Sequence, residues 1–167
     1  MMRPAGHHLA QLNLAWLKAD PEDPAVAPFM KALDRANGIG RRSPGSVWIM
    51  QGSGGPDTGN TGNYVGGNPR MLPNLTLRGD VASREQFVWN TVHRQFYERR
   101  AEWFRAIGRQ HFVMWWVPEG HLPTLDEALE RLEYLRAHGD TDFAFGWAHV
   151  KDAALWKSHG CAQTVAE

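Results

Sequence analysis

The spacing of apolar residues changes its period several times along this chain, and that succession constrains the fold more than any other feature. Apolar and polar side chains alternate from His8 to Trp16, which is typical of a half-buried strand. From Pro24 to about Gly38 the apolar spacing becomes three and four residues, which predicts a helix with Asp23 as its cap. Gly38 and Gly40 are expected to end this helix.

The remaining segments continue this succession of strands and helices. Strands are predicted over Ser46–Met50, Met71–Arg78 and Gln110–Val117. Capping boxes at Ser83–Gln86 and Thr124–Glu127 predict helices that end near Phe104 and His138. The order predicts an α+β fold, a ferredoxin-like βαββαβ unit with a four-stranded antiparallel sheet plus an extra C-terminal helix. We expect one domain over residues 1–150 and a C-terminal tail over residues 151–167.

Two of the predicted strands have one aliphatic and one polar face. Gln11 and Asn13 share the polar face of the first strand, and Asn74 and Thr76 share that of the third, while leucines occupy the opposite faces. We expect the helices to cover the aliphatic face. Either Trp48 or Ile49 of the second strand, and either Trp115 or Trp116 of the fourth, must also fall on the polar face. An aromatic, partly polar surface of this kind is rarely left exposed. The sequence therefore predicts a homodimer, a dimeric α/β-barrel in which a second copy covers a cavity lined by amides and aromatic rings.

Composition excludes several classes of function. Eighteen basic side chains balance eighteen acidic ones, so no net charge favours binding to nucleic acid or to an anionic membrane. The single cysteine, Cys161, excludes a disulfide framework and any site built from several cysteines. Because the chain shows neither a signal-peptide pattern nor an apolar run long enough to span a membrane, we expect a cytoplasmic protein.

A glycine-rich segment from Gln51 to Pro69 interrupts the regular pattern with seven glycines. Segments of this length are usually functional lids or disordered, and the sequence leaves both alternatives open. The segment has neither the context of a dinucleotide fingerprint nor the lysine of a phosphate-binding loop, so no nucleotide site is predicted there.

Three motifs resemble a known family. They are the opening HLAQLN, SPGSVW at the second strand, and VMWWVPEGHLPT followed by EALERL. Together they resemble an uncharacterised bacterial domain-of-unknown-function family that is grouped with the dimeric α/β-barrels, alongside antibiotic biosynthesis monooxygenases and haem-degrading monooxygenases. The likeness covers roughly residues 8–147. It implies a ferredoxin-like fold, a dimer and oxidative chemistry.

His93 is the first catalytic candidate. It lies in the predicted second helix, where Trp89 and Tyr97 share its side at four-residue spacing. A histidine among aromatic rings can act as a general base or bind haem iron. In the haem-degrading relatives a histidine on the second helix binds the iron and an asparagine on the first strand orients the reaction, so the resemblance implies these roles for His93 and Asn13. Alternatively, His93 has a structural role and is satisfied by Glu98 or by a backbone carbonyl.

Other candidates are expected to bind substrate. Amides can hold a substrate oxygen without supplying charge, tryptophans can stack on a flat ring, and an arginine can pair with a carboxylate or a haem propionate. These candidates are Gln11, Trp48, Asn74, Trp89, Tyr97, Arg100, Trp115 and Trp116. The alternatives are cross-strand pairing for the amides and a solvated face for the arginine. His121 is expected to close the turn between the fourth strand and the last helix.

These patterns favour a small-molecule enzyme, a monooxygenase-like oxidoreductase that acts on a hydrophobic or aromatic metabolite without a cofactor. A haem-binding enzyme with His93 as axial ligand is the second hypothesis, and a non-catalytic small-molecule-binding dimer is the third. No spacing of histidines and carboxylates predicts a site for a free metal ion. The choice among the three depends on fold analogy and composition.

Overall fold

The core of the molecule is a five-stranded antiparallel sheet. The computed structural model describes residues 3–52, 62–90 and 98–150, without the side chains of residues 34 and 88–90. Its strands are β1 (His7–Leu17), β2 (Ser46–Ile49), β3 (Met71–Arg78), β4 (Phe104–Arg105) and β5 (Phe112–Pro118). They follow the order β2–β3–β1, and both β4 and β5 pair with the other edge of β1. The predicted ferredoxin-like α+β fold is therefore confirmed, with β4 as an added short strand.

Four α-helices connect or follow these strands in the described part of the chain. They are α1 (Ala27–Arg42), α2 (Val81–Asn90), α3 (Arg100–Trp103) and α4 (Leu125–His138). Much of the glycine-rich segment and the whole tail after residue 150 lie outside the described residues. None of the described helices has the length and apolar character that crossing a membrane requires.

Helix α4 packs on the aliphatic face of the sheet. Leu12 of β1, Leu75 of β3 and Trp115 of β5 are fully buried there, as are Ala128 and Leu132 of α4. Thr124 caps the helix by accepting a hydrogen bond from the backbone N–H of Glu127 at 3.1 Å, as predicted. The extra C-terminal helix thus completes the apolar core, because burial of such side chains is the main favourable term in folding.

The polar face of the sheet is covered by the same chain. Asn37 of α1 and Phe87 of α2 lie against Gln11 and Asn13 of β1. The expectation that the helices cover the aliphatic face is therefore wrong for α1 and α2. The dimer was predicted because the polar face of the sheet was expected to be exposed. Since helices of the same chain cover both faces among the described residues, that reason no longer applies. The predicted homodimer therefore depends on the resemblance alone.

Helix α1 is displaced from its predicted bounds. It begins at Ala27 and continues through Gly38 and Gly40 to Arg42. A Cβ on Gly40 would lie 3.2 Å from Ile49 and 3.3 Å from Phe87, so the missing side chain lets the helix approach the sheet instead of ending it.

Helix α2 also differs from the prediction. Asp80, rather than Ser83, caps its start, because the Asp80 carboxylate accepts a hydrogen bond from the Ser83 N–H at 2.8 Å. The predicted helix end near Phe104 is confirmed, since α3 ends at Trp103 and Phe104 opens β4. Residues 91–97, between α2 and α3, lie outside the described residues.

Gly45, in the turn before β2, gives the first testable prediction. Its φ is +73°, and a Cβ there would overlap the side chain of Ser83. Gly45→Ala is expected to lower the free energy of unfolding by about 2–3 kcal/mol through backbone strain and overlap. Gly66→Ala is the control, because Gly66 has a φ of +62° and open space at its Cβ position. Its expected cost is about 1 kcal/mol, and equal losses in urea denaturation would contradict the overlap.

Candidate functional site

Polar side chains meet where β1 and β3 pair on the polar face. Gln11 lies opposite Thr76 and Asn13 lies opposite Asn74 in the antiparallel register. Opposed residues of paired strands point to the same side of a sheet, so the four side chains form one patch. Gln11 and Thr76 are almost fully buried in it, at 1% and 5% exposure.

Helices α1 and α2 close this patch into a small cavity of about 30 Å³. Its walls comprise Gln11, Asn13, Asn37, Ile49, Asn74, Thr76, Arg78, Arg84 and Phe87. This volume has room for one or two water molecules or for a group of a few atoms. The cavity is therefore a polar recess, and we call it the polar cavity.

Several hydrogen-bonding atoms of the polar cavity lack partners within the described structure. Gln11 donates through its amide nitrogen to the carbonyl of Asn74 at 3.4 Å, but its Oε1 has no partner. The Thr76 hydroxyl and the Asn37 Nδ2 are likewise unsatisfied. Buried polar atoms nearly always find partners, so the polar cavity has unused hydrogen-bonding capacity.

Two arginines bring positive charge to the polar cavity. Burial lowers the pKa of Arg78 to about 10. Burial and then repulsion from Arg78 lower the pKa of Arg84 to about 9. Because both pKa values remain above neutral pH, both guanidinium groups are charged under ordinary conditions.

The structure brings together three of the predicted site residues. Gln11, Asn13 and Asn74 all line the polar cavity. Sequence reasoning missed Arg78 and Arg84. A signal for Arg78 was present, because it continues the two-residue alternation of Asn74 and Thr76 on the same strand face. Arg84 had no such signal, since its burial depends on how α2 meets the sheet.

Other predicted binding residues lie elsewhere. Trp48 and Trp115 belong to the aliphatic face and its core. Trp116 is on the polar face, but it packs beside Phe145 with ring centroids 6.3 Å apart. Arg100 is exposed on α3. None of these four residues lines the polar cavity as described.

Three predicted residues cannot be placed against this cavity. His93 and Tyr97 lie outside the described residues, as does the side chain of Trp89. The proposed roles of His93 as general base or iron ligand therefore remain predictions. Across the described ranges, no group of three or more histidine, cysteine or acidic side chains is arranged to hold a metal ion.

A second polar cluster joins β5 to α4. The Trp115 indole N–H donates to Glu127 Oε1 at 3.0 Å, and His121 Nε2 lies 2.8 Å from Glu127 Oε2. The predicted role of His121 in closing this turn is confirmed. Because Trp115 is fully buried and Glu127 joins it to the turn, we call these three residues the strand–helix clamp and interpret it as structural.

The comparisons with known proteins give a family without a function. No curated protein and no solved structure matches the chain. A family model described as a Domain of unknown function (DUF3291) matches residues 8–161. Since that match spans most of the 167 residues, the chain belongs to the DUF3291 family.

Proposed function

We propose that this chain binds a small molecule by admitting one polar group of that molecule into the polar cavity. The observation that carries the proposal is the set of buried, unsatisfied atoms there: Gln11 Oε1, Thr76 Oγ1 and Asn37 Nδ2. Each buried atom without a partner costs about 1–3 kcal/mol, and a ligand group or water that meets it removes that cost.

The size of the polar cavity limits what can enter. Enclosed sites for drug-sized ligands have volumes of roughly 300–1,000 Å³, whereas this one holds about 30 Å³. A whole aromatic metabolite does not fit within these walls. The proposal is therefore that a headgroup of a few atoms enters and that the rest of the ligand lies outside.

Enzymatic turnover is a further part of the hypothesis. Asn13 and Gln11 line the polar cavity together, which supports the expectation that amides polarise a substrate oxygen. A monooxygenase-like reaction would also need a base, for which His93 is the candidate from the sequence. The homodimer implied by the resemblance belongs to the same hypothesis. Product analysis after incubation of a bound ligand under air separates turnover from binding.

Haem does not fit the polar cavity. The polar cavity of about 30 Å³ is far smaller than the macrocycle, and the candidate iron ligand His93 lies outside the described residues. We derive no chemistry through haem for this chain.

The binding proposal predicts a localised response to small polar fragments. In protein-detected NMR with fragments of every charge type, we expect the largest amide shifts on the central residues of β1 and β3. Thr76→Val removes the unsatisfied hydroxyl and is expected to weaken the hits by about three- to tenfold. Thr141→Val is the control, because Thr141 accepts hydrogen bonds from Phe143 and Ala144 and does not line the cavity. A library without a single hit on these strands would remove the proposed function.

A further inference from the structure

The most unusual feature of the polar cavity is the burial of two arginines in its wall. Arg78, at the end of β3, is 1% exposed, and Arg84, in the first turns of α2, is 8% exposed. All three guanidinium nitrogens of Arg78 and the Nε of Arg84 are buried without a hydrogen-bond partner in the part of the chain that the structure describes. Arginine is rarely buried to this extent without a paired anion.

The described surroundings do not neutralise these charges. The polar cavity is lined by amides, a hydroxyl, Ile49 and Phe87, and no described carboxylate belongs to its wall. Glu85 is buried at 3% exposure, but it is not part of that lining. The charged side chains of Arg78 and Arg84 therefore border a cavity whose other described lining residues are uncharged.

Phe87 compensates the charges in part. The Arg78 guanidinium carbon lies 4.4 Å from the centre of the Phe87 ring, and that of Arg84 lies 5.9 Å from it. Cation–π contact with a phenylalanine is a modest attraction compared with removing two charges from water. It also leaves the N–H donors at the guanidinium edges free, and those edges are the part of arginine that binds an oxyanion.

Water alone is a poor explanation for this arrangement. One or two water molecules could accept some of the N–H bonds, but they would leave two like charges uncompensated. An anion would accept hydrogen bonds from the guanidinium N–H groups and also compensate their positive charge. It would thereby reduce the repulsion between the two arginines. The polar cavity is thus better suited to an anion than to any neutral group of similar size.

We propose, on the basis of the binding function proposed above, that the group entering the polar cavity is the carboxylate of a small organic acid, bound by Arg78 and Arg84. The planar carboxylate matches the fork of N–H donors on a guanidinium. It also requires less room than a tetrahedral phosphate, which matters in a space of about 30 Å³. Thr76 and the surrounding amides then hydrogen-bond the atoms next to the carboxylate, which selects among organic acids.

The test compares three probes that differ in charge and shape: acetate, its neutral counterpart acetamide, and inorganic phosphate. Each is titrated at constant ionic strength, with chloride as the reference, and followed by NMR and by melting temperature. At tenfold its Kd, acetate is expected to raise the melting temperature by about 3–5 °C. Acetamide is expected to give no comparable rise.

Variants assign the effect to the two arginines. Arg78→Met and Arg84→Met are each expected to weaken acetate binding by about tenfold or more, since each removes a charged partner in a buried site. Arg109→Met is the matched control, because Arg109 is exposed and does not line the cavity. It removes the same charge and should leave binding unchanged. The amide spectrum of each variant confirms that it is folded.

The outcomes separate this inference from the binding proposal. Acetamide binding as tightly as acetate, or acetate binding unaffected by both arginine variants, overturns the anion assignment while the polar cavity remains a binding site. Tighter binding of phosphate than of acetate overturns the carboxylate assignment. An absence of any binder at the cavity removes both proposals together.

Discussion

Arg78→Met is expected to stabilise the protein in the absence of ligand, raising the free energy of unfolding at pH 7 by about 1–4 kcal/mol. The reason is that Arg78 is 1% exposed and that its guanidinium nitrogens have no hydrogen-bond partner among the described residues. Methionine is similarly long and unbranched, so it fills the space without a buried charge. A purely structural arginine would respond in the opposite direction.

Arg136→Met provides the matched comparison. The Arg136 side chain is 12% exposed, and its Nε donates to the carbonyl of Gln110 at 2.7 Å. Its replacement is expected to cost about 1–3 kcal/mol, because it leaves that carbonyl without its donor. Urea denaturation of both variants measures whether each substitution raises or lowers the free energy of unfolding. A loss at Arg78 equal to that at Arg136 would mean that Arg78 supports the fold and is not reserved for a ligand.

The stabilisation is expected to depend on pH. Burial lowers the pKa of Arg78 to about 10 in the folded protein, whereas in the unfolded chain the guanidinium keeps its proton to a higher pH. The unfolded state therefore binds more protons in this interval, and the cost of the buried charge falls as pH rises. The advantage of Arg78→Met should be full at pH 7 and smaller at pH 10.5. An advantage that grows with pH would contradict this account.

The strand faces could be predicted from the sequence because their signal is local. Gln11 and Asn13 alternate with leucines, and so do Asn74 and Thr76, so each strand alone reveals its polar side. The structure pairs these residues across β1 and β3 as the alternation requires. One further step of the same alternation would have added Arg78 to the candidate site.

The positions of the helices could not be predicted in the same way. An apolar stripe shows that a helix packs against something, but it does not show which face of the sheet receives it. Asn37 and Arg84 line the polar cavity because α1 and α2 lie on the polar face. Neither residue could be identified as a candidate before that placement was known. The prediction that Trp48 and Trp115 bind a ligand was wrong for a related reason. Both side chains pack in the aliphatic core, and the strand pattern did not show which face they occupy.

The strand–helix clamp explains why the resemblance informs the fold more than the function. The segment VMWWVPEGHLPT, on which the resemblance partly rests, contains Trp115 and His121, and Glu127 follows it. Their hydrogen bonds fix the passage from β5 into α4. A motif with a packing role bears on the fold, whereas the proposed binding function depends on the polar cavity on the opposite face of the sheet.

Trp115→Ala is therefore expected to have the largest effect on stability, a loss of about 3–5 kcal/mol. Trp115 is fully buried against α4, so its removal leaves a large cavity in the main core and breaks the bond to Glu127. Trp116→Ala is the control, because Trp116 is half-buried on the other face of β5. It should cost clearly less. Urea denaturation of both variants measures the difference.

The hydrogen bond within the clamp can be separated from packing by a double-mutant cycle. Glu127→Ala is expected to cost about 1–3 kcal/mol, because it leaves the buried Trp115 N–H without an acceptor at the 3.0 Å position. In a Trp115→Phe background that N–H is absent, so the same substitution should cost about 1 kcal/mol less. Glu127→Gln keeps an acceptor oxygen and should retain most of the stability. If Glu127→Ala cost the same in both backgrounds, the clamp would stabilise the fold by packing alone, and its hydrogen bond would lack the role inferred for it.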